Sequence, residues 1–133
     1  DLKSGFLKPL VLSSKLGLAT IFGNKSNIIE WIHIKDAARF VSFALKNSKV
    51  TGAFNIASND RASQLKLITL IKKHYARYAI TVTIPSFILA IFFGKRVQIL
   101  QGKTSVSVKK LKDSGFKYKY PILNDALVQE TFS

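Results

Sequence analysis

The chain has 133 residues, of which 47% are hydrophobic and 11% aromatic, which is enough to bury a core and too much for a disordered tail. The absence of cysteine excludes disulfides, thiolate catalysis and thiolate metal sites, and the two histidines, His33 and His74, are too few and too far apart to indicate a metal centre. There is no methionine and the first residue is Asp1, so we interpret the chain as a fragment or a processed piece.

The net charge is +14, from 21 basic and 7 acidic residues. Such an excess fits a nucleic acid, an anionic membrane surface or an anionic small substrate. The lysines are dispersed, and no nucleic-acid-binding motif accompanies their densest stretch, residues 103–119. A solvated basic face is the favoured interpretation, and a basic nucleic-acid or membrane-surface protein is kept as an alternative.

Apolar periodicity and turn residues predict an alternation of helices and short strands in the first two thirds of the chain. In chain order the predicted elements are a helix over residues 5–16, a hairpin of strands Leu18–Phe22 and 28–34, a helix over 37–46, a strand over 53–57, a helix over 63–75, the strand Ile80–Ile84, and a helix from Pro85 to about residue 94. The apolar stretch at residues 79–93 is shorter than the roughly 20 residues that span a bilayer. We therefore expect no transmembrane segment and a cytoplasmic location.

The remaining elements complete an α/β chain. They are helices over residues 96–101, 107–115 and 123–132, with an amphipathic strand over 116–120 whose aromatic and lysine residues alternate. That strand is preferred to a stacking platform for single-stranded nucleic acid. Three side chains are predicted to cap helix starts, namely Asp36, Ser63 and Ser107.

Four short motifs stand in a characteristic order. The sequence EWIHIKD at residues 30–36 leads into a helix, GAFNIA follows at 52–57, PSFILAIFFG at 85–94 and KKLKDSGFKYKYP at 109–121. In this order they resemble the carboxyl-terminal part of extended short-chain dehydrogenase/reductase enzymes of the NAD-dependent epimerase/dehydratase family, in the branch that ends in a small domain of unknown function.

The resemblance implies a fold and a division of the chain. The fold is α/β, the carboxyl-terminal, substrate-side part of an extended Rossmann-type epimerase fold, with the dinucleotide-binding half absent. Residues 1–133 then form a single substrate-side region. Its sub-parts are an epimerase-like segment, residues 1–78, and a small helical domain, residues 79–133.

Family members use a glycine-rich turn to hold the cofactor and a Tyr-x-x-x-Lys pair for chemistry, and this sequence has neither. The resemblance therefore implies the substrate-recognition or lid portion of an NAD(P)-dependent, nucleoside-diphosphate-sugar epimerase-like oxidoreductase. NAD or NADP belongs to the whole protein, and this piece is expected to bind no cofactor or metal and to be inactive alone. The alternative is a non-catalytic binding or regulatory module that retains the fold.

The candidate substrate-binding residues are Trp31, His33, Lys35 and Lys8. Trp31 either walls a substrate cavity or packs in the core, and His33 is interpreted as a satisfied histidine beside Trp31 rather than as a group aimed at substrate. Ile29 stands where epimerases of the family commonly place an arginine that binds a substrate phosphate, so that ligand is missing here.

The expected partners are the missing nucleotide-binding half, a small-molecule substrate and, as a further option, another copy of the chain. Without that half, we expect an exposed edge on the strand over residues 53–57. We also expect an exposed apolar surface that includes Leu10, Val11, Phe40 and Phe43. Both features predict association of the isolated chain.

Overall fold

The computed structural model describes residues 7–93 and 106–131 of the chain. Within these ranges the elements are, in order, α1 (Leu7–Lys15), β1 (Leu18–Phe22), β2 (Ile28–Ile29), α2 (Ile34–Lys46), β3 (Ala62–Ser63), α3 (Gln64–Tyr75), β4 (Ile80–Ile84), α4 (Ser86–Phe93), α5 (Lys109–Asp113) and α6 (Leu123–Thr131). The mixed α/β class is confirmed. The helix predicted over residues 96–101 lies outside the described residues.

The described strands form two small sheets. β1 pairs in parallel with β4 from Leu18↔Ile80 to Phe22↔Ile84, and β2 pairs antiparallel with β3. The predicted hairpin is therefore wrong, because β1 and β2 do not pair with each other. The turn after β1 ends a parallel ladder instead, with the N–H of Gly23 donating to the carbonyl oxygen of Ile84 at 2.8 Å.

The strand predicted over residues 53–57 is also wrong, since residues 51–60 contain no strand. The second run of the predicted hairpin is likewise reduced to Ile28–Ile29. β-Branched and aromatic residues favour extended backbone at both places, but a strand exists only where a partner strand completes the ladder. The sequence pattern therefore predicted extended chain correctly and pairing incorrectly.

A first core cluster lies between α1, α3, α6 and the inner face of β1. Its best buried members include Ala19 and Ile21 of β1 together with Ile68 and Ile71 of α3. A second cluster joins Phe40 of α2 to residues near α5. Its buried members are Phe40, Leu111 and Phe116, and the rings of Phe40 and Phe116 meet edge to face at 5.4 Å.

The apolar surface predicted from the sequence is therefore misplaced. Leu10, Val11 and Phe40 are buried core residues, and Phe43 packs half-buried against the second cluster. Helix α2 instead exposes a different stripe, which we call the α2 stripe. It consists of Ile34, Ala38, Val41 and Leu45, spaced at helical intervals, with Val41 54% and Leu45 84% exposed.

The three predicted caps have different outcomes. Ser63 is the N-cap of α3, and its hydroxyl accepts the N–H of Lys66 at 3.1 Å. Asp36 is not an N-cap: α2 begins three residues earlier than predicted, because the side chain of His33 takes the N-cap position and accepts the N–H of Lys35. Ser107 is not the N-cap of α5 either, since that position is held by Val108.

The segment after α5 follows the predicted alternation without forming a strand. Gly115 ends the helix with a φ of +81°, a conformation that glycine adopts without steric cost. Beyond it Phe116 is buried and Tyr118 half-buried, whereas Lys117 and Lys119 are exposed. Packing on the second cluster, rather than a β-ladder, therefore holds this segment.

Candidate functional site

The connection between β2 and α2 carries two of the predicted site residues. Trp31 is held on both sides by the turn at residues 58–60: its carbonyl oxygen accepts the N–H of Ser58, and its Nε1 donates to the carbonyl oxygen of Asp60, each at 2.6 Å. The ring also packs against the first core cluster. Trp31 thus has a fixed position between the core and the protein surface.

His33 is placed at the start of α2 and is buried. Its Nδ1 accepts the N–H of Lys35 at 3.1 Å, and its ring lies 4.2 Å from the ring of Tyr120, measured between centroids. Lys35 and Lys8 are exposed, on α2 and α1 respectively. Of the four predicted site residues, two therefore lie in the connection before α2 and two are exposed lysines of α1 and α2.

Asp36, 0% exposed, joins the beginning of α2 to the carboxyl-terminal segment. Its carboxylate accepts the N–H groups of Lys119 and Tyr120, each at 2.8 Å, and a hydrogen bond from Arg39 at 3.1 Å. Burial, and then the charge of Asp36, raise the pKa of Tyr118 above its usual 10.0. The hydroxyl of Tyr118 donates to the carbonyl oxygen of Ala57 at 2.7 Å. These bonds hold residues 118–120 against α2 and the segment that precedes β3.

Two adjoining cavities open beside this framework and meet at Val106. The smaller has a volume of about 300 Å³ and is lined by Glu30, Trp31, Ile32, Phe54, Asn55, Ile56, Ala57 and Val106. The larger has a volume of about 480 Å³ and is lined by Ser58, Asn59, Arg61, Val106, Ser107, Val108, Lys109 and Lys112. Of the residues predicted for the site, Trp31 lines the smaller cavity and Ser107, predicted as a cap, lines the larger.

The walls of the cavities are tied together across the chain. The amide of Asn55 donates to the carbonyl oxygen of Ser107 at 3.2 Å, and the carboxylate of Glu30 accepts the N–H of Val106 at 3.2 Å. Lys110 donates to the carbonyl oxygens of Thr51 and Ala53 at 2.9 and 3.0 Å. These bonds connect α5 and the residues before it to the two loops that form the opposite walls.

Asp60 lies next to the larger cavity but is engaged elsewhere. Its carboxylate accepts the N–H of Leu123, at the start of α6, and a hydrogen bond from Lys66, both at 2.9 Å. Burial acts to raise the pKa of Asp60, but the bond from Leu123 and the bond and charge of Lys66 outweigh it and lower the pKa below its usual 3.8. Asp60, in its ionised carboxylate form, therefore holds the start of α6 in place.

Among the cavity residues that sequence reasoning missed, Arg61, Lys109 and Lys112 carry positive charge. The only available signals were a polar turn at residues 58–62 and a lysine-rich stretch some fifty residues later. Nothing in either pattern indicates that they face the same space. Ile29, in contrast, is a half-buried residue of β2 that packs on the first cluster, so its position offers no charge to a ligand.

Two further properties of the described residues concern metal binding and membrane crossing. Among residues 7–93 and 106–131, no group of three or more His, Asp or Glu side chains is arranged to hold a metal ion. None of the helices in these ranges is both long and apolar enough to cross a membrane.

The sequence of the chain is similar to a described protein family and to several known proteins. Residues 84–130 match the family described as "Domain of unknown function (DUF1731)". The chain is 28% identical over 125 residues to epimerase family protein SDR39U1 of Mus musculus, covering 92% of this chain and 42% of that protein. It is 26% identical over 130 residues to epimerase family protein YfhF of Bacillus subtilis, covering 96% and 42%. The chain thus spans less than half the length of these curated relatives.

Solved structures show the same fold. The crystal structure of human SDR39U1 with NADPH superposes with a TM-score of 0.82 at 24% identity, over 95% of this chain and 43% of that one. The dTDP-glucose 4,6-dehydratase of Bacillus anthracis, in complex with NAD, superposes with a TM-score of 0.60 at 16% identity, over 96% and 40%. The chain is therefore homologous to the carboxyl-terminal portion of the epimerase family proteins and has an epimerase-type α/β fold.

Proposed function

We propose that the chain is the substrate-recognition portion of an NAD(P)-dependent, epimerase-like oxidoreductase. The observation that carries the proposal is the superposition of 95% of this chain on 43% of an epimerase family protein solved with NADPH. The cofactor and the reacting side chains would then belong to a dinucleotide-binding portion. This division agrees with the sequence, which contains no Tyr-x-x-x-Lys pair.

The two cavities supply the surface on which a substrate would be held. Trp31 gives a flat apolar wall whose position is fixed by hydrogen bonds on both sides, and Asn55 and Ser107 add polar groups beside it. Small-molecule sites commonly combine such an apolar lining with a few oriented polar groups. The role of these residues is to orient the substrate and exclude water, and proton or hydride transfer is left to groups outside this chain.

The α2 stripe supports the existence of a covering partner. Helix α2 buries Phe40 against the second cluster on one side and exposes Val41 and Leu45 on another, so it is apolar over more of its circumference than a surface helix requires. The β1–β4 sheet adds exposed apolar residues, Ile80 among them. Parallel strands are usually covered on both faces. We propose that the dinucleotide-binding portion covers the α2 stripe.

The proposal is tested first on the chain alone. Calorimetric titration with NADH and NADPH is expected to give no measurable heat of binding, and no cofactor oxidation is expected with carbonyl compounds. A micromolar dissociation constant for either dinucleotide would contradict the proposed division of labour.

A chimera tests the positive part of the proposal. In the chimera this chain replaces the homologous portion of the Bacillus subtilis relative, so that the dinucleotide-binding portion is restored. The chimera is expected to fold as a single unit and to bind a dinucleotide, and Trp31→Ala is expected to leave that affinity unchanged. A chimera that unfolds in two independent transitions and binds no dinucleotide would speak against the proposal.

A further inference from the structure

Two turns adjoin at one end of the β1–β4 sheet. One joins α1 to β1 and the other joins α3 to β4, and the N–H of Ile80 in the second donates to the carbonyl oxygen of Gly17 in the first at 2.8 Å. The hydroxyl of Tyr78 also donates to the carbonyl oxygen of Lys15. Since β1 and β4 are parallel, the turns that precede them lie at the same end of the sheet. The two turns therefore form one surface.

This surface carries four large side chains that are mostly apolar and well exposed. They are Leu16, Leu18, Tyr78 and Ile80, and we call them the turn patch. Leu16 is 78% and Ile80 70% exposed, and Ile80 is the ladder partner of Leu18. Single exposed apolar residues are ordinary, whereas a group of them on adjoining turns is typical of an interaction site.

The surroundings of the turn patch are positively charged. Lys15 and Arg77 are exposed and are each the chain neighbour of a patch residue, and Lys73 is exposed one helical turn before Arg77. Residues 7–29 and 61–93, which include all of α1, β1, α3 and β4, contain no aspartate or glutamate. The elements that form the patch therefore carry cations and no carboxylate.

These properties favour an anionic lipid surface over a second copy of the chain. A second copy would bring the cations around two patches together, and like charges opposed across an interface cost free energy. At a membrane surface, in contrast, apolar side chains enter the boundary of the acyl chains while lysine and arginine remain at the anionic headgroups. The exposed tyrosine also suits this boundary, because its ring is apolar and its hydroxyl is polar.

We propose that the turn patch binds the surface of membranes that contain anionic phospholipids. The four side chains enter the interface together, and Lys15 and Arg77 contact the headgroups. The patch belongs to elements that surround the first core cluster, whereas the α2 stripe, proposed to be covered by the dinucleotide-binding portion, lies on a helix of the second. The inference goes beyond the proposed function and does not depend on it.

Co-sedimentation of the chain alone with lipid vesicles tests the proposal at physiological ionic strength. We expect binding to vesicles of phosphatidylserine mixed with phosphatidylcholine, and binding at least about tenfold weaker to phosphatidylcholine alone. Leu16→Gln removes an apolar contact and is expected to weaken binding about tenfold. Lys15→Gln removes one cation near the membrane and is expected to weaken it about fivefold.

Two matched controls remove the same kinds of side chain outside the turn patch. Leu65→Gln replaces an exposed leucine in the first turn of α3, at the opposite end of that helix from the patch. Lys117→Gln replaces an exposed lysine of the segment after α5. Each is expected to change vesicle binding by less than about twofold, because exposed charges are screened beyond about 8 Å. Thermal unfolding of every variant verifies that its fold is retained.

The inference would be overturned by the absence of binding to phosphatidylserine vesicles, or by equal losses for Leu16→Gln and Leu65→Gln, which would reduce the binding to general charge. Tighter binding of polyglutamate than of vesicles would assign the patch to an acidic protein instead. A folded chimera that binds a dinucleotide but no vesicles would also contradict the inference, because the dinucleotide-binding portion would then cover the patch. A chimera that binds no dinucleotide contradicts the proposed function and leaves the vesicle measurements on the chain alone standing.

Discussion

Asp36 shows how one side chain can matter more than its position in a helix suggests. Its carboxylate is fully buried and serves as acceptor for two backbone N–H groups that are 83 and 84 residues away. Buried N–H groups without acceptors lose their hydration and gain nothing in return. The residue therefore stabilises the contact between α2 and the carboxyl-terminal segment rather than the helix end alone.

We predict that Asp36→Ala lowers the free energy of unfolding by about 2–4 kcal/mol, because the N–H groups of Lys119 and Tyr120 lose their acceptor. Urea unfolding monitored by circular dichroism measures the change. Asp113→Asn is the control, since it removes a carboxylate from an exposed ion pair. It is expected to cost less than about 1 kcal/mol. Equal effects of the two substitutions would show that the bonds of Asp36 stabilise the fold no more than the exposed ion pair of Asp113 does.

Asp60 is predicted to make stability depend on pH in the acid range. Because the pKa of Asp60 is lowered in the folded state, its contribution is present above the ordinary value of 3.8 and is lost as the pH falls through the folded-state pKa. Asp60→Asn should therefore destabilise the protein by about 1 kcal/mol near neutral pH. The difference from the unsubstituted chain should shrink below the ordinary pKa.

Urea unfolding at several pH values measures this difference. Asp125→Asn, at an exposed position of α6, is the matched control and is expected to keep the pH profile of the unsubstituted chain. A constant difference between Asp60→Asn and the unsubstituted chain across the acid range would contradict the assignment of Asp60 as a stabilising carboxylate.

At the level of single elements, α2 separates two kinds of apolar residue. Phe40 packs against Phe54 and Phe116, whereas Val41 and Leu45 of the α2 stripe are exposed. Sequence periodicity alone does not distinguish the buried apolar residues of α2 from the exposed ones. The distinction matters because the first set stabilises this chain and the second is available to a partner.

We predict that the isolated chain self-associates through the α2 stripe, and that Val41→Glu combined with Leu45→Glu makes it monomeric without lowering the free energy of unfolding. Sedimentation equilibrium over a hundredfold range of concentration measures the association. Ser42→Glu, on an exposed position of the same helix outside the stripe, is the control and should leave association unchanged. A chain that is monomeric before substitution would contradict the prediction.

The strands show what the sequence could and could not predict. The bounds of β1 and β4 were predicted correctly, because alternating β-branched and apolar residues determine local extension. Their pairing was not, because the partner of Leu18 is Ile80, and the turn residues after Phe22 are as suitable for closing a hairpin as for ending a parallel ladder. Pairing depends on tertiary packing, which short-range patterns do not contain.

The candidate site, like the strands, could be predicted only in part from the sequence. Trp31 was named as a candidate because a large aromatic side chain before a helix is easily recognised, and in the structure it lines the smaller cavity and also packs against the first core cluster. Arg61 and Lys112 were missed, since they come together only when α5 folds against the loop before β3. The cap assignment of Asp36 failed because His33 competes for the same role three residues earlier.

At the scale of the whole molecule, the net charge of +14 is the dominant property. Exposed lysines are scattered along the described part of the chain, Lys8, Lys35 and Lys117 among them. Such a distribution attracts any polyanion weakly and without sequence preference.

We predict weak binding of duplex DNA that is indifferent to sequence and is lost by about 0.2 M salt, because phosphate contacts depend steeply on salt. Fluorescence anisotropy with two unrelated duplexes measures it. Tight binding that discriminates between the duplexes at that salt concentration would favour the nucleic-acid-binding alternative instead.

The bonds of Asp36 also have a consequence for how the chain is made. A ribosome releases α2 long before residues 119 and 120, and at about 5–20 residues per second the delay is about 4–17 s. During that interval the aspartate has neither of its backbone donors, and Phe40 has not met Leu111 or Phe116. The segment around α2 must therefore wait in an incomplete state, and its packing is completed during translation only when residues 111–120 have emerged.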